Sequence, residues 1–206
     1  MTISTLGLMP SDLLMAIATE RIKTAMELTK RYQERHAKTI LHHPGRSIGF
    51  RCDQIKTVTG KPAYREFMVH PGAVGVLAFD EAGKVILVKQ YRYPVGQFTL
   101  EVPAGKLDKG EDPLKCVNRE LEEETGYRAK RVKKLVSYWP TAAFSTEVIH
   151  LYVATGLTMA QAHPDEDEFI ELVKVWPKQL EQWMRSGKIQ DSKTLIAYNA
   201  WKVLFK

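Results

Sequence analysis

Apolar and polar residues follow patterns that change along this chain from helical to β-type and back. From 10 to 36, apolar residues recur near helical spacing, which predicts one amphipathic helix. A break at 42–46 separates it from a predicted hairpin at 47–69. The nearly continuous apolar runs 73–79 and 84–91 then predict strands that are buried on both faces.

The second half of the chain returns to helix after several further strands. Four apolar segments predict strands, namely FTLEV, VKKLVSYW, EVIHLYVA and FIELVKVW, and a helix pair follows from Pro177 to the C-terminus. Mixed strands with a central helix and two C-terminal helices predict an α+β layered fold. We expect a helical extension at 1–44, a β-hairpin at 45–69 and a main domain at 70–206.

The central helix carries its own start and stop signals. Asp112 is a good N-cap, Pro113 suits the first helical position, and Gly126 is placed as the left-handed C-cap. Between them, helical spacing predicts one buried stripe, formed by Leu114, Val117 and Leu121.

Three carboxylates share another face of this helix. Glu120, Glu123 and Glu124 stand at i, i+3 and i+4, so their side chains converge on one patch. Repulsion between these carboxylates raises their pKa values unless a cation binds among them. Carboxylate oxygens of this kind are suitable ligands for Mg²⁺ or Mn²⁺. The alternative is an acidic helix face that is simply solvated.

Composition narrows the class of protein. The chain has 206 residues, 44% of them hydrophobic, which is enough for one well-buried domain. Cys52 and Cys116 form no metal-ligand pair and no disulfide framework, which favours a cytoplasmic location. We expect no signal peptide and no membrane span. The net charge of +6 is spread over the sequence without a nucleic-acid-binding motif, so no nucleic-acid partner is expected.

The helix and the loop before it match one signature, G-x5-E-x7-R-E-U-x-E-E-x-G-U, where U is an apolar residue. Its fixed positions are Gly105, Glu111, Arg119, Glu120, Leu121, Glu123, Glu124, Gly126 and Tyr127. This segment resembles the Nudix box of hydrolases that cleave nucleoside diphosphates linked to another group. The segments HPGAVGV, VKQYRYPVG, LEVPAGKLDKGEDP, FSTE and DEDEFIELVKV look like the ADP-ribose pyrophosphatase branch, over roughly 45 to 205.

The resemblance implies a fold, a reaction and an assembly. It implies an α/β/α sandwich with a mixed sheet, with 70–206 as the Nudix hydrolase domain, and a homodimer that exchanges N-terminal strands. The implied reaction is hydrolysis of ADP-ribose to AMP and ribose 5-phosphate with Mg²⁺, for which Mn²⁺ is a possible substitute. The branch has Ser-Pro-Gly-Phe where this chain has Thr141-Ala142-Ala143-Phe144, which leaves the choice of sugar open.

The resemblance also assigns roles around the metal. It makes Glu120, Glu124 and Glu123 metal ligands, together with the backbone carbonyl of Ala104. The expected catalytic residues outside the ligands are Arg119, which orients the carboxylates, and a base, for which Glu168 ranks before Glu166. The alternative for the acidic run at 165–168 is a solvated loop. Glu111 is expected to support the box loop.

Substrate-binding candidates lie outside the box. Arg92 is a candidate phosphate clamp, or else part of a structural ion pair. Glu101 is a candidate for binding a sugar hydroxyl, or for pairing with a neighbouring arginine. Phe50 and Arg51 are expected near the partner's substrate if the hairpin is exchanged. The aromatic residues Phe50, Tyr64 and Phe67 are candidates to stack on the base or to pack in the core.

Other functions stay open at this stage. Within the enzyme class the alternatives are GDP-mannose or another nucleoside diphosphate sugar, and then NADH or a dinucleoside polyphosphate. Outside it, an ADP-ribose sensor is the alternative, which the intact box disfavours.

Overall fold

The computed structural model describes residues 11–162 and 169–205 of the chain. Glu166 and Glu168 therefore lie outside the described residues. The chain divides into two compact units. The described residues up to 43, together with 50–66, form the first unit, and 44–49 with the described residues after 66 form the second.

The first unit contains one long helix and most of a small sheet. Helix α1 spans Ser11–Tyr32, so the predicted helix ends four residues earlier than 36. Strands β1 (Arg35–His43), β2 (Gly49–Lys56) and β3 (Pro62–Val69) form a sheet in the order β1-β2-β3, and β2 and β3 are the predicted hairpin.

Strand β1 was not predicted. It pairs antiparallel with β2, but the register shifts between His36 and Lys38 and again between Thr39 and Leu41. Each irregularity breaks the two-residue alternation from which a strand is recognised in sequence. Every residue of β1 is exposed, so burial left no periodic apolar signal either.

Helix α1 also carries apolar side chains that remain exposed. They include Met15, Ile22, Met26 and Leu28. No helix in the described residues is both long and apolar enough to cross a membrane.

The second unit is built on a mixed sheet. Its strands are β4 (Ala73–Phe79), β5 (Val85–Arg92), β6 (Gln97–Glu101), β7 (Ala104–Lys106), β8 (Tyr127–Tyr138), β9 (Ile149–Met159) and β10 (Glu171–Val175). Its helices are α2 (Pro113–Thr125), α3 (Pro177–Arg185) and α4 (Ser192–Phe205). The order is β10-β5-β4-β9-β8, with β6 paired to β5 and β7 to β4. Because β4 and β9 are parallel and β8 and β9 antiparallel, the sheet is mixed, as predicted.

Helices cover both faces of this sheet. All seven residues of β4 are buried. Val74 and Val76 belong to one buried cluster with Val117 and Leu121 of α2. Leu77 belongs to a second cluster, with Leu180 of α3 and Tyr198 of α4. Alternate side chains of one strand thus pack against different helices, and the predicted α/β/α sandwich is confirmed.

Helix α2 begins and ends where its sequence predicts. Asp112 accepts hydrogen bonds from the backbone N–H groups of Leu114 and Lys115, at 3.0 and 3.2 Å. Gly126 is left-handed, with φ of 67°, and its N–H donates to the Glu122 carbonyl. The prediction that Leu114 is buried was wrong, because 47% of this residue is exposed in the first turn of the helix.

Strand β8 ends one side of the sheet and is strongly basic. Five of the seven residues from 128 to 134 are basic, namely Arg128, Lys130, Arg131, Lys133 and Lys134. This run is denser than the even spread expected from the sequence.

Candidate active site

The loop that leads into the box helix is fixed on both sides. The N–H of Val102 donates to Thr194 Oγ1 of α4 at 2.8 Å. Two residues later, the N–H of Ala104 donates to Glu124 Oε2 of α2 at 2.9 Å. Glu124 is buried, with 5% of its surface exposed. The backbone around Ala104 is therefore held between two helices.

Gly105 lies against the Glu120 carboxylate. A Cβ added at Gly105 would lie 1.9 Å from the carboxyl carbon of Glu120 and 2.0 and 2.2 Å from its oxygens. A side chain at position 105 would therefore displace Glu120. This close approach explains the glycine that opens the box pattern.

Arg119 gathers the carboxylates of the box. Its guanidinium donates to Glu111 at 3.0 and 3.1 Å, to Glu120 at 2.8 Å and to Glu123 at 2.8 Å. Hydrogen bonds from Arg119 hold the pKa of Glu111 at about 2. Glu111 also accepts the N–H of Asp108 at 3.0 Å, which agrees with its predicted support of the loop. We call this group the box cluster: Glu111, Arg119, Glu120, Glu123 and Glu124.

The box cluster has the chemistry of a divalent-cation site. Carboxylate oxygens are the ligands that Mg²⁺ and Mn²⁺ prefer, and Gly105 leaves room for the Glu120 carboxylate. Within residues 11–162 and 169–205, however, no three His, Cys, Asp or Glu side chains are arranged so that they could hold a metal ion. For a metal ion to bind here, Glu120 and Glu123 would have to give up the hydrogen bonds that they accept from Arg119 and coordinate the ion instead.

A second charged group surrounds Glu101. Arg92 donates to both carboxylate oxygens of Glu101, each at 2.8 Å, and Lys193 donates to Oε2 at 2.9 Å. Burial alone would raise the pKa of Glu101, but the Arg92 hydrogen bond and the charge of Lys193 outweigh it and bring the pKa to about 2. We call this group the Glu101 cluster: Arg92, Thr99, Glu101, Asp191 and Lys193.

These contacts show which neighbours two of the predicted substrate-binding residues have. Glu101 pairs with a neighbouring arginine, and only 3% of its side chain is exposed. Arg92 forms the structural ion pair, yet 41% of its side chain is exposed and it lines a cavity.

That cavity, of about 630 Å³, brings the two clusters together. Its lining includes the predicted residues Ala104, Arg119, Glu120, Glu123 and Arg92, all from the second unit. Phe50 and Arg51 lie in the first unit, where Arg51 forms an ion pair with Asp53 at 2.8 Å.

The cavity also contains residues to which the sequence assigned no role. His70 Nδ1 accepts the N–H of Gly72 at 3.0 Å, and its Nε2 lies 3.7 Å from Glu147 Oε1. Burial lowers the pKa of His70. His70 and Glu147 belong to the segments HPGAVGV and FSTE, so the resemblance already pointed to their neighbourhood. Lys193 gave no signal, because tertiary packing of α4 brings it to the cavity.

Comparison with known proteins identifies the architecture. A model of the NUDIX domain matches residues 69–196. The chain belongs to the Nudix family. Together with the relatives described next, this match confirms the predicted enzyme class, a Nudix pyrophosphohydrolase, and the resemblance to the ADP-ribose pyrophosphatase branch.

Individual relatives cover most of this Nudix chain. It is 41% identical over 170 residues to the methanol dehydrogenase activator of Bacillus methanolicus, covering 82% of this chain and 92% of the relative. It is 39% identical over 155 residues to the ADP-ribose pyrophosphatase of Bacillus subtilis (strain 168), covering 74% and 84%. A crystal structure of an ADP compounds hydrolase, 19% identical, has a TM-score of 0.70 over 81% of this chain and 92% of that one, which supports the fold.

Proposed function

We propose that this Nudix chain hydrolyses the pyrophosphate bond of nucleoside diphosphate sugars, with ADP-ribose preferred, and uses Mg²⁺. The observation that carries the proposal is the box cluster, whose Glu120, Glu123 and Arg119 line a cavity of about 630 Å³. Pockets for small molecules are typically about 300–1,000 Å³, so the cavity is of suitable size. Similarity to an ADP-ribose pyrophosphatase supports the choice of substrate.

The reaction adds one water across the phosphate anhydride. The water oxygen bonds to one phosphorus, the bridging P–O bond breaks, and the products are AMP and ribose 5-phosphate. A bound Mg²⁺ would neutralise phosphate oxygens and acidify water. Glu120, Glu123, Glu124 and the Ala104 carbonyl would hold it. Arg119 keeps the carboxylates in place through its hydrogen bonds to Glu120 and Glu123.

A base must accept the proton of the attacking water. We propose Glu168 for this role, and Glu166 as the alternative. A residue that acts on water late in the reaction should affect turnover more than apparent metal affinity. Glu168→Gln is therefore expected to lower kcat strongly and to change the Mg²⁺ dependence little. A larger loss in Glu166→Gln would exchange the two roles, and full activity in both variants would refute them.

A substrate panel tests the proposed reaction. ADP-ribose, GDP-mannose, other nucleoside diphosphate sugars and NADH would be incubated with Mg²⁺, with Mn²⁺ and with a chelator, and the products separated by chromatography. We expect the highest kcat/KM for ADP-ribose, equal amounts of AMP and ribose 5-phosphate, and no turnover with chelator. A higher kcat/KM for GDP-mannose would replace the substrate, and tight ADP-ribose binding without turnover would favour a sensor.

Similarity to a methanol dehydrogenase activator supports a second candidate function, namely activation of an alcohol dehydrogenase. The test adds the chain to a methanol dehydrogenase assay and repeats it with Glu120→Gln. A rate increase with the unmodified chain would support this function, and no increase would exclude it for that dehydrogenase. Loss of the increase in the variant would tie it to the hydrolytic site.

We also propose a homodimer in which 45–69 contribute to the interface and place Phe50 and Arg51 near the partner's substrate. The exposed apolar side chains of α1 and the wholly exposed strand β1 support it, because a second copy could cover both. Light scattering should give about twice the chain mass of 23.5 kDa. A fully active monomer at micromolar concentration would refute the dimer.

A further inference from the structure

The carboxylate of Glu101 has as many donors as it can accept. Oε1 accepts from Arg92 Nε at 2.8 Å and from Thr99 Oγ1 at 2.6 Å. Oε2 accepts from Arg92 Nη2 at 2.8 Å and from Lys193 Nζ at 2.9 Å. A carboxylate offers about four acceptor positions. Glu101 is therefore a buried hub that orients its neighbours.

Lys193 is held as firmly as the carboxylate to which it donates. Its Nζ also donates to Asp191 Oδ1 at 2.7 Å, and 16% of its side chain is exposed. The other Asp191 oxygen accepts from Thr194 N and Oγ1, at 2.8 and 2.7 Å, at the start of α4. An ammonium with two anionic partners and little exposure has a defined position rather than a solvated one.

Arg92 is the member of this cluster with the most donors left for a ligand, because Lys193 uses two of its three N–H groups on Glu101 and Asp191. Its two hydrogen bonds to Glu101 use Nε and Nη2, whereas a guanidinium carries five N–H groups. Arg92 lines the cavity, and 41% of its side chain is exposed. Because the guanidinium is planar, fixing two of its N–H groups also fixes the direction of the others.

We infer that Lys193 is a positioning residue for substrate binding. By filling the last acceptor position of Glu101, it fixes the orientation of Arg92, whose remaining N–H groups bind a phosphate oxygen of the substrate. This inference rests on the proposed function, since it takes a nucleoside diphosphate sugar as the ligand. Without Lys193, Glu101 can turn in its pocket and Arg92 turns with it.

The test is a double-mutant cycle that separates positioning from general stability. Lys193→Met keeps a long unbranched chain and removes the ammonium. We expect it to raise KM for ADP-ribose about tenfold and to change kcat less than twofold, as for a contact made equally in the bound and transition states. Arg92→Met should raise KM at least as much. In the Arg92→Met background, Lys193→Met should have no further effect on KM.

Further variants control for the loss of one positive charge and for a failure of Lys193→Met to fold. Lys178→Met removes an exposed lysine of α3 and should leave kcat and KM unchanged. Lys193→Arg should restore part of the lost affinity. If Lys193→Met does not fold, Thr99→Val removes another donor to Glu101 and should raise KM two- to threefold by the same route.

A second measurement separates this inference from the proposed function. Calorimetry with AMP measures binding without turnover, and its Kd should rise in Lys193→Met and Arg92→Met but no further in the double variant. If no substrate is hydrolysed but the Kd values for AMP follow this pattern, the proposed function is wrong and the positioning role of Lys193 stands. If Lys193→Met leaves both KM and Kd unchanged, or its effect adds to that of Arg92→Met, the inference is overturned.

Discussion

Two carboxylate clusters line or support the same cavity and differ in their charge balance. In the Glu101 cluster, two carboxylates, Glu101 and Asp191, are paired with two cations, Arg92 and Lys193. Their charges match one to one. Each oxygen of Glu101 has donors at hydrogen-bond distance, so this carboxylate needs no further partner.

In the box cluster, one guanidinium serves several carboxylates. Arg119 forms ion pairs with Glu111, Glu120 and Glu123, and with Glu124 the box cluster has four carboxylates to one cation. The 37% exposure of the Glu123 side chain contrasts with 3% for Glu101. The Glu101 cluster, in which the charges balance, therefore supports the structure of the site. The box cluster has an excess of negative charge, which favours binding of a further cation.

The strongest test of this contrast is to remove one charge from the box cluster. Glu120→Gln and Glu124→Gln should each lower turnover by more than the roughly 10–100-fold loss that is usual for residues behind a metal ligand. Far-UV circular dichroism should stay unchanged. Glu122→Gln is the matched control, because Glu122 pairs with Arg128, whose side chain is 68% exposed, and it should keep full turnover. Normal rates in both variants at limiting Mg²⁺ would disprove the metal-site assignment.

A change of shape, without a change of charge, should have the next largest effect. Gly105→Ala places a methyl group 1.9 Å from the Glu120 carboxyl carbon and must displace it. A displacement of about 1 Å can cost about 100-fold in rate, so we expect a loss of that order. Gly110→Ala is the control, since nothing lies within 4 Å of an added Cβ there, although its φ of 78° adds backbone strain. Equal losses of activity would show that displacement of Glu120 is not the cause.

Lowering the pH should weaken the Glu101 cluster. The accompanying change in the free energy of unfolding measures how much the Glu101 carboxylate contributes to stability. The pKa of Glu101 is about 2 in the folded chain, against an ordinary value of 4.5. Its ionised form therefore stabilises the fold above about pH 4.5, and this stabilisation is lost as the pH falls towards 2. The loss between pH 5 and 3 should be about 2 kcal/mol, measured by urea unfolding.

Glu101→Gln supplies the comparison for that titration. It should be less stable than the unmodified chain at pH 7, because two cations then face a neutral amide, and its stability should depend less on pH below 4.5. An unchanged pH dependence would mean that Glu101 does not contribute as described. Glu111, also at a pKa of about 2, should account for part of the remaining slope.

The smallest effect is expected at the start of the box helix. Asp112→Ala removes the cap that accepts two N–H groups and should cost about 1 kcal/mol in the free energy of unfolding. Turnover should stay within twofold, because Asp112 belongs to neither cluster. A loss of activity comparable to that of Glu120→Gln would show that the box cluster depends on this cap.

Local signals were enough to predict the box helix and the residues on its charged face. These signals lie close together in the sequence: the N-cap, the glycine at the C-terminal end, and the spacing of Glu120, Glu123 and Glu124. Leu114 was misassigned because periodicity gives the direction of a side chain but not how far the covering layer extends.

Features that depend on distant parts of the chain could not be predicted in the same way. Strand β1 takes its hydrogen bonds from β2, and its bulges erase the two-residue pattern. Lys193 reaches Glu101 across 92 positions of sequence, so no spacing rule connects them. The ion pair of Arg92 was foreseen as an alternative, but only the fold shows that pairing and exposure to the cavity coexist.

The basic run on β8 bears on the behaviour of the chain at high concentration. A strand at the end of a sheet presents unpaired backbone groups that can recruit another strand. Two copies approaching along β8 would bring together rows of Arg and Lys, and their mutual repulsion opposes aggregation. Because salt screens exposed charges beyond about 8 Å at physiological ionic strength and more closely above it, concentrated salt should favour self-association along this edge.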